Sequence, residues 1–395
     1  MGLRKFLGGV LIFIFGFVYG LFGIDLAKFK IFDEIYFIEG SLNYLENKEF
    51  FFGHPPLSLL IFSLFLKLAG WPKQENYFLP RIIFLFLTSF FGVLVYLIIL
   101  SRSNDFYWAF LGGFLANIET SLAFFRKFLL IEIPWLMFSL LAILFLKRNP
   151  ILFFIFSGLA LSSKWFSIFF ILPFAIFEKN LKIKDLIFGL VVVFLIYFLT
   201  FEFHYLASLK KTNLLEVTLR FFKDNLKIVL SHSSQSPVSF PLATCFLGWP
   251  FGIKQLGVKD GFYIFPNIFL WWGVLISIAF SFIKFKDYYK DLGIFIFSYL
   301  SYFFAITLIE YLRPGWLYFY FGALVYGIFI LSYFLKKRPL FLILIVLMSA
   351  FLLPVSSGFQ LFNFEKEILE VITKFLNYGD YLARSIGIFL GFSWF

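Results

Sequence analysis

The sequence predicts an all-α integral membrane protein with about eleven spans, each near the length a bilayer core demands. Three observations predict it. Of the 395 residues, 61% are apolar or aromatic and only 14% are charged, where a soluble domain carries roughly 25% charge. No single water-soluble core hides that much apolar surface, because even large folded domains leave about a quarter of their chain surface exposed. The apolar stretches are also continuous and do not alternate as barrel strands do. Composition excludes further classes. Cys245 is the only cysteine and His54, His204 and His232 are the only histidines, so neither a disulfide scaffold nor a zinc finger is available. The net charge of +11 need not signal nucleic acid, since basic residues orient membrane helices.

The first run, 6–24, follows Arg4-Lys5. It is too long for a usual signal sequence and lacks a small-residue cleavage site, so it reads as an uncleaved anchor. Further runs lie at 81–100, 106–118, 128–146, 150–163, 165–178, 185–203, 263–283, 292–309, 315–335 and 339–354. Basic clusters at Arg4-Lys5, Arg102, Lys147-Arg148, Lys179/Lys182/Lys184, Lys284/Lys286/Lys290 and Lys336-Lys337-Arg338 fall at alternate span ends. Burying such clusters is costly, which holds those ends and the N-terminus in the cytoplasm. Two longer loops, 25–80 and 204–262, then lie outside, as does the tail 355–395. In the tail, 364–376 has helical apolar spacing, and 381–395 could dip into the bilayer as a twelfth span. Residues 1–354 read as one transmembrane domain.

Polar residues gather on the outer side. Only Asp105, Glu178, Asp185, Asp287 and Asp291 of the 23 acids fall on the cytoplasmic side. Within 25–80, Asp33-Glu34 precede a stretch that is apolar on one side (Phe37, Ile38, Ser41, Tyr44, Leu45), as in a helix lying in the interface. His54-Pro55-Pro56-Leu57 then stops one helix and starts another. The apolar segment 57–70 is too short to span and reads as interfacial or re-entrant. An adjacent carboxylate pair at the membrane edge can supply a general base; taken alone, it reads first as two solvated loop acids. Arg81 opens the second span, Lys164 splits an apolar run within SSKW, and Arg313 precedes Pro314-Gly315. Such cations either snorkel to headgroups or face a ligand; a ring of them would suit a lipid phosphate.

In order, FDE, HPPL, an Arg-led span, SSKW, a tryptophan pair and R-x-x-x-LYFY resemble the protein O-mannosyltransferases. These are polyprenyl-phosphate-mannose-dependent glycosyltransferases of the GT-C superfamily. Ser163-Lys164-Trp165 is similar to the family's T-K-W. Lys127 to Glu132 (KFLLIE) is similar to its R-x-x-x-L-D, Trp249-Pro250 to its W-P, and Trp271-Trp272 to its tryptophan pair. Leu317-Tyr318-Phe319-Tyr320 carries Phe319 where the family has His, and the 204–262 loop is too small for the β-trefoil domain of eukaryotic members. The resemblance covers residues 30 to 325 and implies a GT-C-type bundle with interfacial helices in the first outer loop. It implies inverting sugar transfer, with Asp33 as base and Glu34 orienting the site. Arg81, Lys164 and Arg313 would meet the donor phosphate. His54, Pro55, Trp165, Glu132, Tyr318 and Tyr320 would line the donor and acceptor pocket. The implied partners are a polyprenyl-phosphate sugar as co-substrate, a secreted or membrane protein as acceptor, and the bilayer, without nucleic acid.

Alternatives stay open at this stage. The altered KFLLIE and LYFY segments leave a lipid or glycan acceptor in play. A transporter or flippase would show paired broken helices and repeat symmetry, and no convincing repeat is present. Asp33 and Glu34 could hold one divalent cation, but the scattered histidines give a metal little support. No P-loop is present, so no ATP site is indicated.

Overall fold

A computed structural model describes residues 2–26, 28–73, 76–178, 183–209, 213–233, 246–252, 256–257, 263–312, 317–355, 370–371, 373–374 and 377–385. The helices are α1 (Leu3–Leu21), α2 (Glu34–Leu45), α3 (Leu57–Leu68), α4 (Phe78–Thr88), α5 (Phe90–Ser103), α6 (Phe106–Ile118), α7 (Thr120–Lys127) and α8 (Glu132–Phe145). They continue as α9 (Pro150–Ser163), α10 (Ser167–Glu178), α11 (Ile183–Leu209), α12 (Leu214–Ser233), α13 (Ile268–Ile283), α14 (Phe285–Leu312), α15 (Phe321–Leu335) and α16 (Pro339–Val355). One two-residue antiparallel ladder pairs Leu256–Gly257 with Tyr263–Ile264.

Among the described residues, five stretches are long and apolar enough to cross a membrane: Leu3–Leu21, Phe78–Ser103, Lys184–Ser208, Phe285–Ile309 and Leu317–Leu335. A sixth candidate is α6 with α7, bent by 65° at Glu119. The other expected spans fall on apolar helices of 10–17 residues, among them α8, α9, α10, α13 and α16. These are shorter than a straight crossing needs. Of the tail segment 364–376, only 370–371 and 373–374 are described, and 386–395 lies outside the described residues.

Two compact units organise the chain. The first comprises Met1–Leu26, Ser89–Phe124 and Gln235–Phe395. Here α1, α5 and α6 meet on small residues. Asn117 donates to the Ile12 carbonyl at 2.9 Å, and a Cβ on Gly16 or Gly92 would lie under 3 Å from the Asn117 amide. Small residues let helices approach closely where lipid supplies no hydrophobic drive. α15 is buried along all but Tyr333 and Phe334. Helix ends carry ordinary caps: Asp105 accepts from Trp108 N and Asn267 from Leu270 N, each an order of ~1 kcal/mol device.

The second unit comprises Ala27–Thr88 and Phe125–Ser234. α9 packs on α8 and α11, closely enough that a Cβ on Gly158 would sit 2.8 Å from the Ile196 Cβ. α2 packs on α3, burying Phe37, Ile38, Ser41 and Tyr44, the face the sequence pattern indicates. One local expectation changes. The HPPL element starts α3 but does not stop α2, which ends at Leu45. Asn47 turns the chain there at φ 53°, a left-handed conformation that Asn tolerates. The expected 204–262 loop also holds α12, an amphipathic helix. Its Val217, Phe221 and Ile228 pack with Tyr197, Phe201 and Tyr205 of α11.

Candidate active site

Asp33 and Glu34 stand side by side at the start of α2, yet they sit in different chemistry. Glu34 is fully buried. One carboxylate oxygen accepts from Arg81 Nε at 3.0 Å and Leu129 N at 3.2 Å. The other accepts from Arg81 Nη2 at 2.5 Å and Ile31 N at 3.0 Å. Arg81 is also fully buried; Nη2 additionally reaches the Phe29 carbonyl at 2.7 Å. The Tyr77 and Phe128 rings lie against its guanidinium. This two-pronged pair ties α2, α4, the approach to α2 and the 128–131 connection together. Arg81, expected to meet the donor phosphate, has its guanidinium on the Glu34 carboxylate and against these two rings.

Asp33 is half-buried, and no described residue donates a hydrogen bond to its carboxylate. It lies between α1 and α2, outside the candidate membrane spans. Its pKa is pushed up from 3.8 to about 7, chiefly by burial, further by the Glu132 carboxylate, and is partly restrained by Lys164. Burial penalises the charged form, and a like charge adds to that penalty.

Glu132 and Lys164 form the adjoining pair. Glu132 opens α8, one step after the KFLLI stretch. Lys164 sits in extended backbone (φ −163°, ψ 134°) where α9 stops. Its Nζ donates to Glu132 Oε1 at 2.8 Å, with both side chains nearly fully buried. The local SSKW break thus brings an ammonium into the same electrostatic neighbourhood as Asp33. Trp165 holds the break. Its indole N–H donates to Tyr197 OH at 2.8 Å, which donates to Asn225 Oδ1 at 2.6 Å. His54 is half-buried against the Phe52 ring, and Pro55 is buried just before α3.

The family profile for dolichyl-phosphate-mannose-protein mannosyltransferase matches residues 10–178, the stretch that contains Asp33, Glu34, Arg81, Glu132 and Lys164. The fold is similar to the structure of the S. cerevisiae protein O-mannosyltransferase Pmt1-Pmt2 complex bound to the sugar donor. The TM-score is 0.78 at 12% identity over 91% of each chain. The chain is a membrane glycosyltransferase with the fold of that mannosyltransferase. A weaker likeness, TM-score 0.43 at 15% identity, is to the archaeal oligosaccharyltransferase AglB from Archaeoglobus fulgidus in complex with an inhibitory peptide and a dolichol-phosphate. It covers 84% of this chain and 47% of that one. No curated protein matches the sequence of this transferase.

The remaining expected residues belong to the other unit or fall outside the described residues. Tyr318 and Tyr320 belong to the first unit. Tyr320 is buried, its hydroxyl 2.7 Å from Tyr299 OH and its ring 4.9 Å from Trp271. Arg313 lies outside the described residues. Among the described residues no three His, Cys, Asp or Glu side chains converge as a metal site. Sequence reasoning missed Glu119, the fully buried acid at the α6–α7 bend. It accepts from Ser121 Oγ, Leu122 N, Asn267 N and Trp271 Nε1. The signal was an acid between Asn117 and Thr120 inside an apolar run.

Proposed function

We propose that this transferase moves a sugar, mannose by its resemblance, from a polyprenyl-phosphate donor to Ser or Thr hydroxyls of secreted or membrane proteins. The reaction takes place at the extracytoplasmic face, with residues 1–354 as the catalytic domain. The observation that carries this reading is the Asp33 carboxylate: raised in pKa, without a hydrogen bond from any described residue, and within electrostatic reach of the buried Lys164–Glu132 pair. A general base works best when its pKa lies near the operating pH.

In this reading the acceptor oxygen attacks the anomeric carbon and the bond to the phosphate oxygen breaks. The leaving polyprenyl phosphate keeps the electron pair. One displacement inverts the anomeric centre. Asp33 takes the hydroxyl proton, and Glu34 fixes the start of α2 through Arg81. Lys164 offsets charge growing on the leaving phosphate, a role in which a fixed cation in a dry site is worth most. Arg313 keeps its proposed place as a further phosphate contact. An apolar groove of about 160 Å³ between α9, α10 and α11, lined by Leu161, Ile168, Ile171, Leu190 and Val193, begins at Ser167, three residues from Lys164. It suits the donor's hydrocarbon tail.

The test is an in vitro assay with polyprenyl-phosphate mannose and a Ser/Thr peptide. Transfer by the parent chain, abolished in Asp33→Ala with folding intact, supports the reading. Near-parental activity in that variant removes Asp33 from the base role. Transfer to a glycolipid or glycan alone replaces the protein acceptor.

A further inference from the structure

A second polar site lies within the second unit, apart from Asp33. A pocket of about 480 Å³ opens between the α2–α3 connection, the C-terminal end of α11 and α12. Its volume is in the range of pockets that enclose a small organic ligand, roughly 300–1,000 Å³. Most of its lining is polar.

Three acids, Glu49, Glu216 and Asp224, face three cations, Arg220, Lys223 and Lys227. They are largely committed to one another. Arg220 donates to Glu216 at 3.0 Å and also to Glu49. Asp224 accepts from Tyr205 OH at 2.9 Å and pairs with Lys227. An anionic ligand would meet three carboxylates and a cationic one three cations. The balance favours a neutral ligand dense in hydrogen-bond donors and acceptors.

Two further features point the same way. His204, 6% exposed, lies on the pocket wall with its Nδ1 2.6 Å from Tyr44 OH; its Nε2 has no partner among the described residues. At the mouth, Phe51 and Leu219 stand 42% and 63% exposed, offering an apolar platform beside the polar walls. Hydroxyls for the charged groups and C–H faces for the aromatic ring are the two surfaces a pyranose presents.

We propose that this pocket binds a neutral saccharide of one or two hexose units. Its wall is tied to the candidate active site by α2, which begins next to Asp33 and carries Tyr44 in its last turn, about 17 Å along the axis at 1.5 Å per residue. That distance is spanned by about five extended residues of an acceptor chain. A sugar already attached to an acceptor would thus sit in the pocket while a nearby hydroxyl reaches Asp33. This last step rests on the transfer reading above; saccharide binding itself does not.

The experiment measures binding to the full chain in nanodiscs without any donor, by saturation-transfer NMR and calorimetry. The probes are methyl α-mannoside, α-mannobiose and maltose, an unglycosylated Ser/Thr peptide, and inorganic phosphate. The expected result is saccharide binding that weakens at least tenfold in Asp224→Asn and in Phe51→Ala, each with a parental melting temperature. If either variant fails to fold, Glu216→Gln on the exposed face of α12 takes its place. No saccharide binding, or binding that all the variants leave unchanged, overturns the proposal. So does equal or tighter binding of the bare peptide, which marks a polypeptide groove, or displacement of the saccharide by phosphate, which marks an anion site. Failure of the transfer assay with saccharide binding intact overturns only the transfer reading.

Discussion

Glu34 grips Arg81 through both carboxylate oxygens, at 3.0 and 2.5 Å, and neither side chain touches solvent. Breaking a buried pair from one side leaves an uncompensated charge and costs about 3–5 kcal/mol. Arg81→Ala should therefore lower stability by about that amount. The loss should appear as a lower melting temperature and reduced yield of folded protein. The double variant Glu34→Gln/Arg81→Met should recover part of it. If Arg81 met the donor instead, Arg81→Ala would fold normally and raise the donor KM.

Asp33→Asn separates the two acids. The substitution keeps size and removes the ability to take a proton, while no described hydrogen bond to the carboxylate is lost. Transfer should fall by at least 10², the lower end of what a positioned base contributes. Folding should be unharmed. Glu34→Gln, by contrast, should lose stability first, because it uncovers Arg81.

The pH dependence follows from the same carboxyl. Its pKa is about 7 in the folded chain and 3.8 without its surroundings. Only the ionised form accepts a proton, so kcat/KM should rise with pH through about 7 and then level. Stability runs the other way. Between the two pKa values the folded state holds the proton more firmly than the unfolded state, so this residue's contribution to stability falls as pH rises through that window. In Asp33→Asn that part of the stability profile should be flat. A parent rate profile with its midpoint near 4 would remove the raised pKa from the argument.

Much of this site was legible as interruptions. Asp33-Glu34, HPPL, KFLLIE and SSKW are the places where charge or proline breaks apolar runs, and the structure puts each at a helix start or stop. What could not be read was who pairs with whom. Arg81 and Glu34 are 47 residues apart, and Lys164 and Glu132 are 32 apart; nothing in local pattern distinguishes a cation waiting for phosphate from one already held. Helix length was also hidden. Apolar runs show where lipid or core will be, but not that a helix of 14 residues stops at Ser163 because Lys164 turns to reach α8. The bend at Glu119 was missed for the same reason: a buried acid satisfied by residues far along the chain looks like any other polar residue.

The Lys164–Glu132 pair gives the most discriminating test, because its two members act on Asp33 with opposite sign. Glu132 raises the Asp33 pKa and Lys164 lowers it. Glu132→Gln should shift the rising limb of the rate profile to lower pH, while Lys164→Met should shift it to higher pH. Lys164→Met also loses the cation proposed to face the leaving phosphate, so its plateau rate should fall as well; in Glu132→Gln the charge on Lys164 remains. Lys164→Arg keeps the charge but not the compact ammonium that fits beside Glu132, so it should restore the position of the limb better than the plateau. Measuring kcat/KM from pH 5 to 9 for the three variants checks all of this at once. If both limbs move in the same direction, or neither moves, Asp33 is not the titrating group beside this pair.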